Sequence, residues 1–394
     1  MDTQQSWAIK QGSALHQEMI SWRRDIHRHP ETAYEEVRTS ERVAQLLTSF
    51  GLEVTCGLGR TGVVAVLQGE QGGDEMIALR ADMDALDLCE LNEFEHRSCR
   101  DGKMHACGHD GHTAMLLGAA KYLAENPAFA GKVCFIFQPA EEGKAGARAM
   151  IRDGLFERFP ATQVFGMHNW PGLAAGAFAV HSGAVMASTD SFDIVIEGQG
   201  GHAAMPHLGV DPVVVAAQVI IALQTAVSRQ TDPLKSAVLS VTTMRGGEAY
   251  NVIPESVTLT GTCRSFCPEV KHQLERLIQK QAHHICEAFG AKATVTYRAG
   301  YPATVNTAKE ATVAETACLS LVSPDQVLTD MPSSMGAEDF AFMLQERPGA
   351  YIWIGNGDQE GFRGLHNPYY DFNDDVLALG ASYWVALIDQ LLSR

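Results

Sequence analysis

Residues 131–143 read GKVCFIFQPAEEG. The run from Val133 to Phe137 is short, apolar and rich in β-branched and aromatic side chains, which marks a buried strand ending at a turn. Two adjacent glutamates, Glu141 and Glu142, leave its carboxyl end. Outward from this stretch the same grammar repeats. Residues 13–50 read as two helices broken at "HRHPE", with Gly51 closing the second. "LEVTCGL", "GVVAVLQG" and "EMIALRADM" follow as strands, and a helix begins near His109 and runs through "TAMLLGAAKYLAEN". Beyond the opening stretch, "AGARAMIRDGLF" is helical and "TQVFGMHNW" is another strand. Strands alternating with helices predict an α/β sheet with helices on both faces. Such sheets take their ligands outside the carboxyl ends of the strands, where Glu141, Glu142 and His168 fall.

From about residue 187 the pattern changes. "SFDIVIEG" is a strand, "DPVVVAAQVIIALQTAVSR" a helix, and "SAVLSVTTMRGG" and "SVTLTGTCRSF" are strands. "PEVKHQLERLIQKQAHHICEAFG" is a long helix capped by Gly290, and "AKATVTYRAG" a last strand. This β-α-β-β-α-β order is the ferredoxin-like arrangement. "AYIWIGNG" and the helix "DDVLALGASYWVALIDQLLSR" then resume the α/β style. The predicted architecture is a discontinuous α/β domain, residues 1–186 plus 302–394, with a smaller α+β domain, 187–301, inserted. No internal repeat interrupts it.

At 394 residues the chain is long enough for two domains. Hydrophobic content of 46% and charged content of 20% describe a globular protein. With 30 basic against 47 acidic side chains the net charge is −17, which disfavours nucleic acid as a partner. No run reaches the ~18 apolar residues of a membrane span, and the opening MDTQQSWAIKQG lacks a signal peptide's apolar core, so a cytoplasmic protein is expected. The nine cysteines are scattered and form no CxxC pair, which fits free thiols better than a disulfide framework. For all but Cys107, core packing is the expected role.

Cys107 differs by its company. Residues 104–112, MHACGHDGH, place three histidines, a cysteine and an aspartate in nine positions. Cys107 and His109 lie at a Gly-containing turn into a helix, and later strand ends supply Glu141 and Glu142, His168 in "GMHNWPG" and His366 in "GLHNP". Thiolate, imidazole and carboxylate are the usual ligands of zinc and related ions. Singly, each has an ordinary reading: a lone histidine is hydrogen-bonded, and paired acids open a helix. Jointly they lie where an α/β site forms. Two buried glutamates need compensating charge, and two dications sharing a bridge can clamp both a nucleophilic water and the carbonyl it attacks.

The segments "WRRDIHRHPETAYEE", "TGVVAVL", "RADMDAL", "MHACGHDGHTAMLLGAA", "FIFQPAEEG", "GMHNWPG", "GGHAAMPH", "NVIPESVTLTGTCRSF", "MGAEDFAFM" and "GLHNPYYDFND" resemble the metal-dependent aminoacylase and hippurate hydrolase family. That family includes auxin-conjugate hydrolases and is related to glutamate carboxypeptidases and succinyl-diaminopimelate desuccinylases. The resemblance covers essentially the whole chain in the same order. It implies two divalent metal ions, zinc or manganese with cobalt or nickel as further options. Cys107 would bridge them, with Glu142 and His366 on one ion and His109 and His168 on the other. It implies that Glu141 is the general base, taking a proton from the attacking water and returning it to the leaving nitrogen. His202 would stabilise the developing oxyanion, and Asn251 and Arg264 would grip the substrate, Arg264 through its free carboxylate. Asp82 is a candidate for orienting a ligand; its alternative is an acid facing water at a strand end. A homodimer through the inserted domain is also implied.

The expected reaction is hydrolysis of an N-acyl or N-aroyl amino acid to a carboxylic acid and a free amino acid. The rivals are a dipeptidase or carboxypeptidase on the same scaffold, whose substrate's free amino group would need an acidic partner such as Glu338 or Asp339, and a non-catalytic metal- or ligand-binding protein, which has no need of Glu141. A closed structural zinc site fits poorly with ligands spread from 107 to 366. Two departures from the family, Asp87 for a common proline and Gln199 for a common lysine, bear on pocket shape and substrate range. His27 and His29 read as capping a helix end, His105 and His112 as bordering the site, His207 as shaping the pocket, and His283 and His284 as structural.

Overall fold

The computed structural model describes residues 8–358 and 363–393; residues 1–7, part of the opening stretch that bears on the signal-peptide expectation, lie outside them. The chain divides into two compact units. One comprises Met1–Val185, Val305–Pro332 and Asp339–Arg394, the other Met186–Thr304 and Ser333–Glu338.

The first unit is built on an eight-stranded mixed sheet. Its strands include β1 (Glu53–Leu58), β2 (Gly62–Gln68), β3 (Met76–Asp82), β4 (Lys132–Gln138) and β5 (Gln163–Pro171). Their order is β1-β2-β4-β3-β5, followed by Gly349–Gly357, Phe178–Ala179 and Val327–Leu328. The β4, β3, β5 and Gly349–Gly357 strands run parallel. Every residue of β3 and all but one of β4 are buried, as expected of parallel strands covered on both faces. Helix α1 (Ala14–Arg28) is started by Ser13, whose hydroxyl accepts the N–H of His16, and α2 (Val37–Ser49) by the remote carboxylate of Glu31, which accepts those of Arg38 and Thr39. Helix α3 (His109–Glu125) is buried almost all round. The C-terminal stretch Asp374–Leu392 is long and apolar enough to cross a membrane, but most of it is buried in this core.

The second unit is a four-stranded antiparallel sheet ordered Ala237–Arg245, Ser256–Ser265, Ser188–Glu197, Lys292–Ala299. Along Ser256–Ser265 every second residue is buried, so one face forms a core. Val257 and Leu259 on that face cluster with Val219 and Leu223 of helix Pro212–Ser228 and with Leu274 and Ile278 of helix Pro268–Ala288.

Three expectations need correction. The stretch "AGARAMIRDGLF" is not one helix: Gly154, at φ 88°, separates Gly146–Arg152 from Leu155–Arg158. His168 is inside β5, three residues before its end. The cysteines are free, but Cys56, Cys89 and Cys99 are exposed, because each lies on an edge strand or loop that the core does not cover.

His27 is not a cap either. His29 is, through Nδ1 to the carbonyl of Asp25 at 2.8 Å. The His27 ring is buried, with Nδ1 2.9 Å from Asp110 Oδ2 and Nε2 3.1 Å from Glu90 Oε1. The same carboxylate of Asp110 lies 3.5 Å from the buried Arg23, which also pairs with Asp371 and Asp374. This network ties α1 to α3 and to the C-terminal segment. Burial opposes charge on His27, but the bonds from Asp110 and Glu90 outweigh it and push its pKa up to about 9. The folded value lies above the ordinary 6.5, so the stabilisation is complete below pH 6.5 and is lost as pH rises through about 9. It amounts to about 3 kcal/mol. Urea unfolding across that window should show stability falling in the wild type, and falling with a shallower slope, by up to one proton, in His27→Gln.

Candidate metal centre

The turn into α3 sets the site. Gly108 has φ 95°, and a Cβ there would stand 2.1 Å from Asn169 Nδ2 and 2.6 Å from the Tyr370 hydroxyl, so no other residue fits. The close approach lets Asn169 Nδ2 donate to the Cys107 carbonyl at 2.7 Å, while Tyr370 donates to Asn169 Oδ1 at 2.6 Å. Cys107 and His109 are thereby fixed on either side of the glycine.

Two groups of potential ligand atoms form around Cys107, each with all atoms within 4.8 Å of one another. The first is Cys107, His109 and His168; the second is Cys107, Glu142 and His366. In the first, Cys107 Sγ lies 3.4 Å from His168 Nε2. His168 Nδ1 meets the carbonyl of Asn169 at 2.6 Å; a carbonyl only accepts, so Nδ1 carries the proton and Nε2 turns a lone pair toward Cys107. Burial and the neighbouring His112 hold His168 well below the ordinary histidine range, in the neutral form that binds metal. In the second group, His366 Nε2 lies 3.2 Å from Glu142 Oε1. The His366 backbone is in the left-handed region, φ 63°, and its N–H donates to Ala106 O at 2.7 Å, which pins it beside Cys107.

His109 is the least satisfied member. It is buried, and among the described residues neither ring nitrogen makes a hydrogen bond, although Nδ1 comes within 3.3 Å of Asp84 Oδ1 and Nε2 within 3.7 Å of Asp82 Oδ2. Glu142 Oε1 is buried too, and His366 Nε2 approaches it at 3.2 Å without the geometry of a hydrogen bond. Orphaned polar atoms of this kind are costly unless something outside the chain meets them. Burial works against charge on His109, yet the carboxylates of Asp82, Asp84 and Glu142 push its pKa up to about 10. Burial, then Glu142 and Glu141, drive the Cys107 thiol well above its ordinary range. A soft sulfur, imidazoles and an excess of carboxylate together make the donor set of a divalent cation, so the residues fit such ions.

Around the ligand groups stands a shell of buried charge. Asp82 is buried, which removes its water-facing alternative. Its Oδ1 is 2.6 Å from His112 Nδ1 and its Oδ2 accepts from Arg80 at 2.9 Å. His112 Nε2 in turn accepts the N–H of Asn169 at 3.0 Å, so His112 links β3 to β5. His105 is buried nearby with no ring hydrogen bond among the described residues, and burial lowers its pKa to about 3. Glu141 is buried and forms a further ligand-sized group with His109 and Glu142; its Oε1 accepts the N–H of Asp339 at 3.3 Å.

Asp84 is the residue that sequence reasoning missed. Its two oxygens accept the N–H groups of Glu141 and Glu142, at 3.0 and 2.9 Å, besides approaching His109. The signal was present in "RADMD": Arg80, Asp82 and Asp84 recur at the period of a strand and so share one face. Asp339, flagged only as a partner for a substrate amine, instead accepts from Arg80 and Gln138, and its Oδ2 accepts the N–H of Ala147.

His202, Asn251 and Arg264 belong to the second unit. His202 is exposed on the short ribbon pairing Gly201–His202 with Val252–Ile253, and its Nδ1 accepts the N–H of Ala204 at 3.1 Å. Asn251 is exposed beside that ribbon, its carbonyl accepting from Ala203 at 3.0 Å. Arg264 is half-buried in a central strand and pairs with no carboxylate among the described residues; its Nη1 donates to Cys263 O at 2.9 Å. His207, His283 and His284 are exposed.

Residues 78–390 match the family described as peptidase family M20/M25/M40. The chain is 41% identical over 365 residues to a hippurate hydrolase of Campylobacter jejuni, covering 93% of this chain and 94% of that one. It is 40% identical over 374 residues to an N-acetyl-L-cysteine deacetylase of Bacillus subtilis, covering 95% and 88%. Among solved structures, a Bacillus subtilis protein described as a dinuclear metal-binding peptidase of the M20 family superposes with a TM-score of 0.84 at 34% identity, covering 96% and 99%.

Removing Asp84 leaves two backbone amides and one imidazole without their carboxylate. Competition with a chromogenic chelator should show metal affinity about 10- to 100-fold weaker in Asp84→Ala than in the wild type.

Proposed function

The chain belongs to peptidase family M20/M25/M40, and on that premise we propose that it is a metal-dependent amidohydrolase cleaving N-acyl or N-aroyl amino acids. The observation that carries the reading is the pair of ligand groups sharing Cys107 with the Glu141 carboxylate beside them. The similar hippurate hydrolase and N-acetyl-L-cysteine deacetylase support amide-bonded amino acids as the substrate class. The dinuclear neighbour supports two ions.

We assign Cys107 as the shared ligand, His109 and His168 to one cation, and Glu142 and His366 to the other. Thiolate and imidazole favour zinc, with manganese as the second choice. Bound cations supply Lewis-acid activation of water and of the amide carbonyl. The protein's own groups do the rest. Glu141 takes a proton from the attacking water and delivers it to the leaving nitrogen, the two-way service that a buried carboxylate performs when its backbone is held still. Asp82 and Asp84 hold their oxygens toward His109 and so fix its ring. His202 is assigned to the developing oxyanion, and Asn251 and Arg264 to the grip on the substrate. Arg264, having no carboxylate partner of its own among the described residues, suits a substrate carboxylate. The account includes a homodimer through the second unit and a cytoplasmic location.

The test is release of free amino acid from N-acetyl, N-benzoyl and indole-acetyl amino acids and a few dipeptides, with zinc and with manganese. The wild type should cleave at least one N-acyl substrate in preference to the dipeptides. Glu141→Gln should retain both metals and lose about 10²- to 10⁴-fold in turnover. Preference for dipeptides would instead make the protein a peptidase, and an active Glu141→Gln would remove Glu141 from the chemistry.

A further inference from the structure

Glu36 stands at the amino end of α2, takes no part in the assignments above, and is fully buried. Both of its oxygens are engaged. Oε1 accepts the N–H of Ala140 at 2.8 Å, and Oε2 accepts the hydroxyl of Thr61 at 2.6 Å. Ala140 immediately precedes Glu141 and sits in the left-handed region at φ 55°. A residue with a Cβ keeps that conformation only where its surroundings enforce it. The next two amides, those of Glu141 and Glu142, go to Asp84. Three consecutive N–H groups are therefore taken by two buried carboxylates, one from α2 and one following β3. The other side of the turn is equally confined, because a Cβ on Gly146 would stand 1.7 Å from the Pro139 carbonyl oxygen.

Packing alone does not account for Glu36. Burying a carboxylate opposes folding, and burial pushes this one up to about 7. An apolar side chain of similar size would fill the space without that penalty. What it would lack is an acceptor for the Ala140 amide. A general base must reach its proton with accuracy well below 1 Å, and a misplacement of that order costs about 10²-fold.

We propose that Glu36 is a positioning residue for the general base, acting through the Ala140 amide to hold the turn from which Glu141 projects. The inference rests on the reading of Glu141 as that base.

The test compares Glu36→Met, Glu36→Gln and Thr61→Val in the full chain, with Glu35→Ala as a control. Glu35 is exposed and pairs with Lys103, so its loss should leave turnover unchanged. Steady-state kinetics at saturating metal and metal content are measured, together with amide hydrogen exchange over residues 138–147 in metal-free protein. Glu36→Met should lower kcat about 30- to 100-fold with KM within about threefold and metal content unchanged. Exchange over 138–147 should rise. Glu36→Gln keeps an acceptor and should return kcat to within about threefold of wild type, and Thr61→Val should fall between. Wild-type kcat and exchange in Glu36→Met overturn the proposal. So does a loss that added metal restores, because Glu36 would then act on Glu142 as a ligand. If Glu36→Met does not fold, unchanged kcat and exchange in Thr61→Val overturn it instead. A wild type inactive on every substrate defeats the functional reading itself, whereas an active wild type with insensitive Glu36 and Thr61 variants defeats only this inference.

Discussion

Acidic charge concentrated at one end of the central sheet is the constraint on which the rest of the first unit depends. Asp82, Asp84, Glu141 and Asp339 are all buried there, Glu142 is partly so, and Cys107 stands among them. Carboxylates out of water are tolerated only when paired and hydrogen-bonded. Arg80, itself buried, answers part of the charge through Asp82 and Asp339. Backbone amides answer more: those of Glu141 and Glu142 at Asp84, and that of Ala147 at Asp339. What remains faces Cys107, His109 and His366, whose sulfur and imidazoles close the site around Glu142.

The fold delivers these groups from separate elements. Parallel strands bring Asp82 and His168 to one end, the αL glycine at 108 splays Cys107 and His109 across a helix start, and a strained turn presents Glu141 and Glu142. Each of these placements is held by a hydrogen bond to a buried polar group rather than by packing alone. Rigid support of this kind is what a two-ion site requires, since ligands must keep their spacing before the ions arrive.

Much of this was legible in the sequence, for identifiable reasons. The buried apolar runs around "FIF" and "VFGM" and the caps of the long helices come from local physics. The candidate ligand residues stand out as an uncommon concentration of thiol, imidazole and carboxylate near strand ends. Less was visible where one side chain serves several remote groups. Asp84 reads as an ordinary acid until three of its neighbours are seen together. Glu36 is 104 residues from the amide it holds, and nothing local announces that pairing. His27 looked like a helix cap because helix ends favour histidine; a tertiary ion pair overrode that preference. The exposed cysteines turn on packing that composition does not encode, whereas the break at Gly154 has a local cause, a glycine in the left-handed region.

The central claim is that one buried sulfur is shared by two cations. Anomalous diffraction at the metal edge, on crystals of metal-loaded protein, tests it most directly. The account predicts two peaks flanking Cys107 Sγ, one bounded by His109 and His168 and the other by Glu142 and His366. A single peak, or two peaks neither of which touches the sulfur, would contradict it.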